Sequence, residues 1–304
     1  MKKNLLKYIF IIISVLSFLI AYLSIFGLET EKFNSQIKDK INQTDKDFEV
    51  ELKKIRLTLN PLNFKINVKT IAPKVFYKKR IIELEYIETQ IPIISLIKNQ
   101  IISSKLKFST KSIFLKDLIS FAKAIKNKPE LFILERAVKK GQIILDVDLE
   151  FDETGKINND YKIKAILKDG KIGLFKKYNF KKINFSLDVS NNIFNFKDLS
   201  FTHSKSSFFS ENIKIIKNKK DFFVEGQINN KDTNLSEELL KLLNINISNI
   251  EFSNTNFNSD NKFSFLIDKN LKVKNLDIDS NFQINESDYK IPIVLNEFFN
   301  IKNN

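Results

Sequence analysis

The sequence predicts a mainly β fold behind an N-terminal transmembrane helix, with long, mostly antiparallel strands and a few short helices. Three observations lead there. Residues Tyr8 to Leu28 (YIFIIISVLSFLIAYLSIFGL) are 21 positions without a charge. From Phe48 onward, apolar residues recur mostly at every second position, the period of a half-buried strand. Polar turn sequences such as Asp152-Glu153-Thr154-Gly155 and Asp169-Gly170 separate those runs, so that neighbouring strands pair antiparallel.

At about 1.5 Å per residue the uncharged run makes a helix roughly 31 Å long, which matches the hydrocarbon core of a bilayer. Lys2, Lys3 and Lys7 precede it without an acid, and Glu29, Glu31 and Lys32 follow it. The positive-inside rule leaves the N-terminus in the cytoplasm and sends the body across the membrane. A cleaved signal peptide would have a shorter apolar core and small residues spaced as A-x-A. Ala21, Ser24 and Gly27 do not make a good pair at that spacing. A buried core helix is disfavoured by the length and the lack of a polar face.

After the anchor, Phe33, Ile37 and Ile41 stand at helical spacing within Glu31–Lys46. The period then changes to two at Phe48/Val50/Leu52 and Ile55/Leu57/Leu59. Asn60-Pro61 makes a turn, and Phe64/Ile66/Val68 resume. Ile81–Ile87 is a strand, Ile93–Ile97 a short helix or turn, and Leu106–Leu115 a strand. Lys116–Lys126 is helical, with Leu118, Ile119, Ala122 and Ile125 on one face. Pro129 opens a second helix through Lys140, with Gly141 as its C′ residue.

Beyond Gly141 nearly everything reads as strand. Phe194 and Phe196 are out of phase with Leu199 and Phe201, and a β-bulge near Lys197-Asp198 would restore one face. Asn234-Leu-Ser-Glu237 has capping-box spacing and opens a short helix through Leu243. Ile245/Ile247, Phe263/Phe265/Ile267, Leu271/Val273, Leu276/Ile278 and Phe282/Ile284 are further strand pairs. The expected division is 1–28 as flank and anchor, 29–140 as an N-terminal α/β part and 141–304 as a β-rich part.

Composition excludes several chemistries. The chain has no cysteine, hence no disulfide, thiolate metal site or thiol nucleophile. Its formal charge is +14, but most basic residues alternate with Asp and Glu along strands. The longest basic run, Lys78-Lys79-Arg80, is short for a nucleic-acid patch, and no nucleic-acid partner is expected. Mild attraction to anionic lipid headgroups is the functional reading of this charge, and a solvated face is the plain one. Six glycines leave no Gly-rich phosphate loop.

A sheet with one apolar face must cover it. A second sheet, closure into a filled barrel, or a bound lipid would each do so, and pattern alone favours the second sheet. The segments FEVELKKIRLTLNPLNFKINVKTI and IIELEYIETQIPIISLIKNQIISSKLKFSTKSIFLKDL follow the anchor, and GQIILDVDLEFDETGKINNDYKIKAILKDGKI follows them. In pattern and order, the first 230 residues or so resemble the AsmA-like family, a group of bacterial envelope proteins that includes TamB and YhdP. The resemblance implies a long, curved sheet forming an apolar groove (a β-taco). It also implies an inner-membrane anchor, a periplasmic body, and a part in phospholipid transport and outer-membrane homeostasis. Its implied partners are phospholipid acyl chains, the membrane and other envelope proteins. The residues it would place along the groove are Ile143, Leu145, Val147, Leu149, Phe151, Ile163, Leu167, Phe185, Leu187 and Val189. Plain core packing is the competing reading of the same residues. Members of the family are usually much longer than this chain.

No catalytic residue, cofactor or metal site is expected. His203 is the only histidine, in FTHSKSS near Ser204, Ser206, Ser207 and Ser210, and reads as an exposed strand-end residue. Asp146-Val-Asp148 and Asp277-Ile-Asp279 each put two carboxylates on one strand face. The competing readings are a Ca²⁺ element and a solvated face. A structural or assembly factor with a dry β-core, and an anchored hydrolase using His203, are the alternative functions.

Overall fold

The computed structural model describes residues 2–98, 103–152, 156–158, 161–174, 178–204, 206–235, 251–270 and 272–290. The elements follow the order α1 (Lys2–Ile25), β1 (Leu28–Thr30), α2 (Asn34–Thr44), β2 (Phe48–Glu51), β3 (Ile55–Asn60), β4 (Lys65–Ile71), β5 (Lys74–Tyr77), β6 (Arg80–Pro92), α3 (Ile93–Ile97), β7 (Lys105–Thr110), β8 (Ile113–Phe114), α4 (Leu115–Ile125), α5 (Pro129–Ala137) and β9 (Val138–Glu150). Then come β10 (Lys162–Leu174), β11 (Tyr178–Ser190), β12 (Ile193–His203), β13 (Ser206–Lys217), β14 (Asp221–Asn234), β15 (Glu251–Asp268) and β16 (Val273–Lys290). The fold is mainly β, as expected. One 16-stranded sheet runs β1-β3-β4-β6-β7-β9-β10-β11-β12-β13-β14-β15-β16, with β2 on β5, β5 on β6 and β8 on β9. Every strand pair whose register is described is antiparallel.

The chain divides into two compact units. Unit 1 comprises Met1–Phe132 and Ile144–Ala165, and unit 2 comprises Ile133–Ile143 and Ile166–Asn304. The division therefore passes through β9 and β10, and the expected boundary at 140/141 also falls within β9.

In unit 1, α1 contains the segment Lys7–Ile25, long and apolar enough to cross a membrane. The helix ends on Gly27, whose φ of 70° is the left-handed conformation of a helix C′ residue. The Phe26 and Gly27 N–H groups both donate to Tyr22 O, at 2.8 and 3.3 Å. Arg56 caps the exposed carbonyls: Nε and Nη2 donate to Phe26 O at 3.1 and 2.9 Å. The chain then enters β1, which pairs with β3 from Leu28↔Leu57 to Thr30↔Ile55. The core of unit 1 joins Val75, Tyr77, Ile82, Leu84 and Phe121, with Phe48, Phe108 and Leu118 packed around it. Helix α4 covers this face, as its period requires. The Phe121 ring stands edge-on to Tyr77 at 6.4 Å, while Ile125, expected on the buried side, is exposed.

In unit 2, long strands stay in phase by means of bulges. Asp198 has φ 52°, and the register passes from Lys197↔Ser186 to Ser200↔Asn184 around it. This is the bulge the Phe194/Leu199 phase change requires. Asn191-Asn192, with φ 48° and 64°, forms the tight hairpin between β11 and β12.

Two expectations are corrected. Asp169-Gly170 is not a turn, because β10 runs through it. Asp169 takes φ 51°, its N–H donates to Asn184 Oδ1 at 2.9 Å, and Gly170 leaves room for Ile183 and Leu167. The second helix ends at Ala137, not at Gly141, and Val138 already belongs to β9. Gly141 has φ 140°, and Leu167 Cδ1 lies 3.2 Å from where its Cβ would stand. Its glycine character serves side-chain packing within a strand rather than a helix cap. The helix expected over 234–243 and the Ile245/Ile247 strand lie outside the described residues, apart from Asn234, which closes β14, and Leu235.

Gly27 supplies a direct check of the anchor junction. A Cβ there would lie 2.7 Å from Thr58 Cγ2 and closer still to Leu57 O. Gly27→Ala is expected to cost about 2 kcal/mol through this clash and the positive φ. Denaturant unfolding of the full chain in detergent measures it, and an unchanged midpoint would contradict the junction described.

Candidate functional site

The register of unit 2 sorts its side chains onto two faces, since directly paired residues share a face. One row runs Leu187–Phe196–Ile213–Gly226–Phe263–Ile278 across β11 to β16. A second runs Val189–Phe194–Ile215–Val224–Phe265 across β11 to β15. Phe185 and Phe196 meet edge-on at 5.1 Å, and Phe263 and Phe265 stack at 5.8 Å. Gly226 lets Phe263 cross its strand, because a Cβ there would lie 3.1 Å from Phe263 Cζ. On the opposite face Lys197 pairs with Asp188 at 2.7 Å and Lys214 with Glu225 at 3.1 Å.

The apolar rows are only partly covered. Val189 and Val224 are buried, while Phe185, Leu187, Phe194, Phe196, Ile213 and Ile215 are half-buried. On β16 the same face carries Ile278 at 56% and Phe282 at 56% exposure. Helices α1 to α4 pack on β2, β3, β5, β6 and β8, all in unit 1. Among the described residues, no helix packs to a comparable extent on β11 to β16.

Toward the His203 end of β12 the same face mixes aromatic and polar side chains. The row Phe201–Phe208–Asn230–Ser259–Phe282 passes from stacked rings on β12 and β13 through a polar pair on β14 and β15 to a ring on β16. Asn230 Nδ2 donates to Phe257 O at 3.2 Å, Asn261 Nδ2 to Ser259 Oγ at 2.7 Å, and Ser259 Oγ to Asn230 Oδ1. Ser210 is 1% exposed, and its Oγ has no hydrogen-bond partner. His203 is buried, which corrects the exposed position expected for it. Its ring lies 5.3 Å from Phe180, and Nδ1 is 3.2 Å from Asn179 O. It pairs across the strands with Ser206, also buried.

The sequence-predicted groove residues fall as follows. In unit 2, Ile143, Leu167 and Val189 are buried, and Phe185 and Leu187 half-buried. In unit 1, Val147 is buried opposite Phe108, a neighbour of the α4-covered core. Leu145, Leu149, Phe151 and Ile163 are half-buried. The selection missed the larger part of the apolar face, on β12 to β16. Its signal was present in the alternating Phe and Ile of those strands once the Asp198 bulge was granted. The buried Ser/Asn zone was also missed, although Ser206, Phe208 and Ser210 alternate in one phase.

A cavity of about 470 Å³ in unit 2 is lined by Lys140, Lys171, Lys181, Lys182, Asp169, Thr202, Ser204 and Ser207. Lys140 is ion-paired with Asp169. Asp277 and Asp279 line a wide, open depression with Glu211, Glu225 and Lys262. Asp148 is engaged by Lys105 at 3.2 Å and Lys107 at 3.8 Å. Among the described residues no group of three or more His, Cys, Asp or Glu could hold a metal ion.

Comparison with known proteins matched no family model, and comparison with curated proteins gave no match.

The Lys105 cluster predicts a pH dependence. Burial alone would lower the Lys105 ammonium pKa, but hydrogen bonds and charge from Glu150 and Asp148 outweigh it and raise it. The Lys105 hydrogen bond and charge hold the Glu150 carboxyl below its ordinary value. A raised lysine stabilises below its unfolded pKa and a lowered glutamate above its own, so the cluster contributes from about pH 5 to about pH 10. Lys105→Met is expected to cost about 1 kcal/mol in that window. The difference from the wild type should shrink as pH falls through the depressed Glu150 value. Urea unfolding at several pH values tests this, and an undiminished difference in acid would refute it.

Proposed function

We propose that this chain is a membrane-anchored lipid-handling protein of AsmA-like type, whose unit 2 sheet face accepts phospholipid acyl chains. The observation that carries the reading is the two apolar rows of β11 to β16, half-buried and without a helical layer among the described residues. Leaving so much Phe and Ile surface in contact with water is unfavourable by about 25 cal/mol per Å². An acyl chain would remove it from water without needing a specific hydrogen-bond partner. The order of elements adds support: anchor, strands, the short helix at Ile93–Ile97, then further strands, as in that family. The lysines before Tyr8 favour a body on the periplasmic side of a bacterial inner membrane. No step of bond making or breaking is part of this reading.

One observation favours a second reading, an envelope assembly factor. Among the described residues strand β16 is the last in the sheet order, 18 residues long, with Val273, Leu276, Ile278, Phe282 and Ile284 exposed. Such an edge is a template for a strand of another protein.

Paired charge substitutions separate the readings. Val147 sits in closely packed surroundings, so Val147→Asp should cost several kcal/mol and lower abundance. Leu187→Asp, on the half-open face, should accumulate at nearly normal levels. It should, however, carry less phospholipid after gentle extraction, as measured by mass spectrometry. Equal collapse of both variants, or unchanged lipid in Leu187→Asp, would overturn the acyl-chain reading in favour of a dry core.

A further inference from the structure

The end of unit 1 that faces the anchor carries an unusual set of exposed apolar side chains. Leu62 is 91% exposed and Phe64 73%, in the turn between β3 and β4. Ile94 and Ile97, on one side of α3, are 59% and 75% exposed. Side chains of this kind on isolated turns of a water-facing domain are normally polar. These four belong together. Phe64 O accepts the Ile93 N–H at 2.9 Å, and Lys65 pairs with Pro92. The β3–β4 turn and α3 therefore form one apolar tip.

The register fixes where this tip points relative to α1. Moving backward along β1, from Thr30 to Leu28, the partner on β3 moves from Ile55 to Leu57. Continuing backward into the helix leads toward Asn60 and the turn beyond it. The helix follows that direction in contact with β3. Ile20, Leu23, Ser24 and Gly27 are half-buried while Ala21, Tyr22, Ile25 and Phe26 between them are exposed. That spacing is one helix face laid along the sheet. From Leu57 to Asn60 a strand rises about 10 Å, and from Gly27 back to Ile20 a helix rises about 10 Å. The tip therefore reaches the level of Ile20, inside the segment long enough to span a bilayer. Tyr22, half-exposed on the helix, marks the depth that aromatic residues prefer at the membrane interface.

We infer that the Leu62/Phe64/Ile94/Ile97 tip inserts into the outer face of the bilayer that holds α1, as a second and shallow membrane contact. Gly27 and Arg56 hold the helix end against β3, so anchor and tip enter the lipid as one rigid element. The inference rests on α1 being a membrane span and is independent of what the apolar face of unit 2 binds. Its occupant is the lipid bilayer, because the same compact unit already commits its helix there.

The absence of cysteine makes the test direct. Single replacements Leu62→Cys, Phe64→Cys, Ile97→Cys, Phe18→Cys and Lys79→Cys would carry a nitrobenzoxadiazole fluorophore on the full chain. The chain is reconstituted in phosphatidylcholine vesicles with or without 5-doxyl phosphatidylcholine. Lys79 lies in the exposed turn before Arg80, at the opposite end of β6, and Phe18 is an exposed residue of the span. The expected result is blue-shifted emission and strong doxyl quenching at Leu62, Phe64, Ile97 and Phe18, with neither at Lys79. Quenching at Phe18 without quenching at the three tip positions overturns the inference alone. No quenching at Phe18 either overturns the anchor and the inference together.

Discussion

The architecture depends on phase. A strand of 11 to 18 residues keeps one face apolar only while its alternation stays in step with its neighbours. A slip of one residue would turn the apolar rows of unit 2 to the charged side. The chain holds the phase with non-glycine residues in left-handed backbone, at Asp169, Lys182, Asp198, Asp232 and Asn275. They occur once in each of β10, β11, β12, β14 and β16. At Lys182, Asp198, Asp232 and Asn275 the strand carries one residue more than its partner, which returns the apolar face to register and adds local twist and bend. The strain is offset where side chains bond to the irregular backbone. Asn184 accepts the Asp169 N–H, and Asn258 Oδ1 accepts the Asp232 N–H at 2.8 Å.

The two units solve the same covering problem differently. Unit 1 places α4 over Val75, Tyr77, Ile82 and Leu84 and closes a small dry core. Unit 2 extends a broader apolar face along more strands with no helix packed over it to a comparable extent among the described residues.

Much of this was legible in the sequence because it depends on local period. The anchor, the helix over 116–125, the start of the next helix at Pro129 and nearly every strand follow from spacing alone. The Asp198 bulge followed from a phase conflict between Phe196 and Leu199. What escaped was set by contacts distant in sequence. Asp169-Gly170 has turn chemistry but lies within a strand, because Asn184, Ile183 and Leu167 surround it. Gly141 has the look of a helix cap but yields space to Leu167, 26 positions on. His203 reads as a surface residue until Phe180 and Asn179 close over it. The groove candidates stopped at Val189 because the face beyond it is continuous only once the bulges are known.

The central claim is that the half-open face of β11 to β16 meets lipid. Site-specific photo-crosslinking in intact cell membranes tests it most directly. A benzophenone side chain placed at Phe196, on the second strand of the longer apolar row, reports whatever touches that face. The account predicts adducts with the mass of phospholipid. Adducts to protein alone would contradict it and identify unit 2 as a dry, packed sheet.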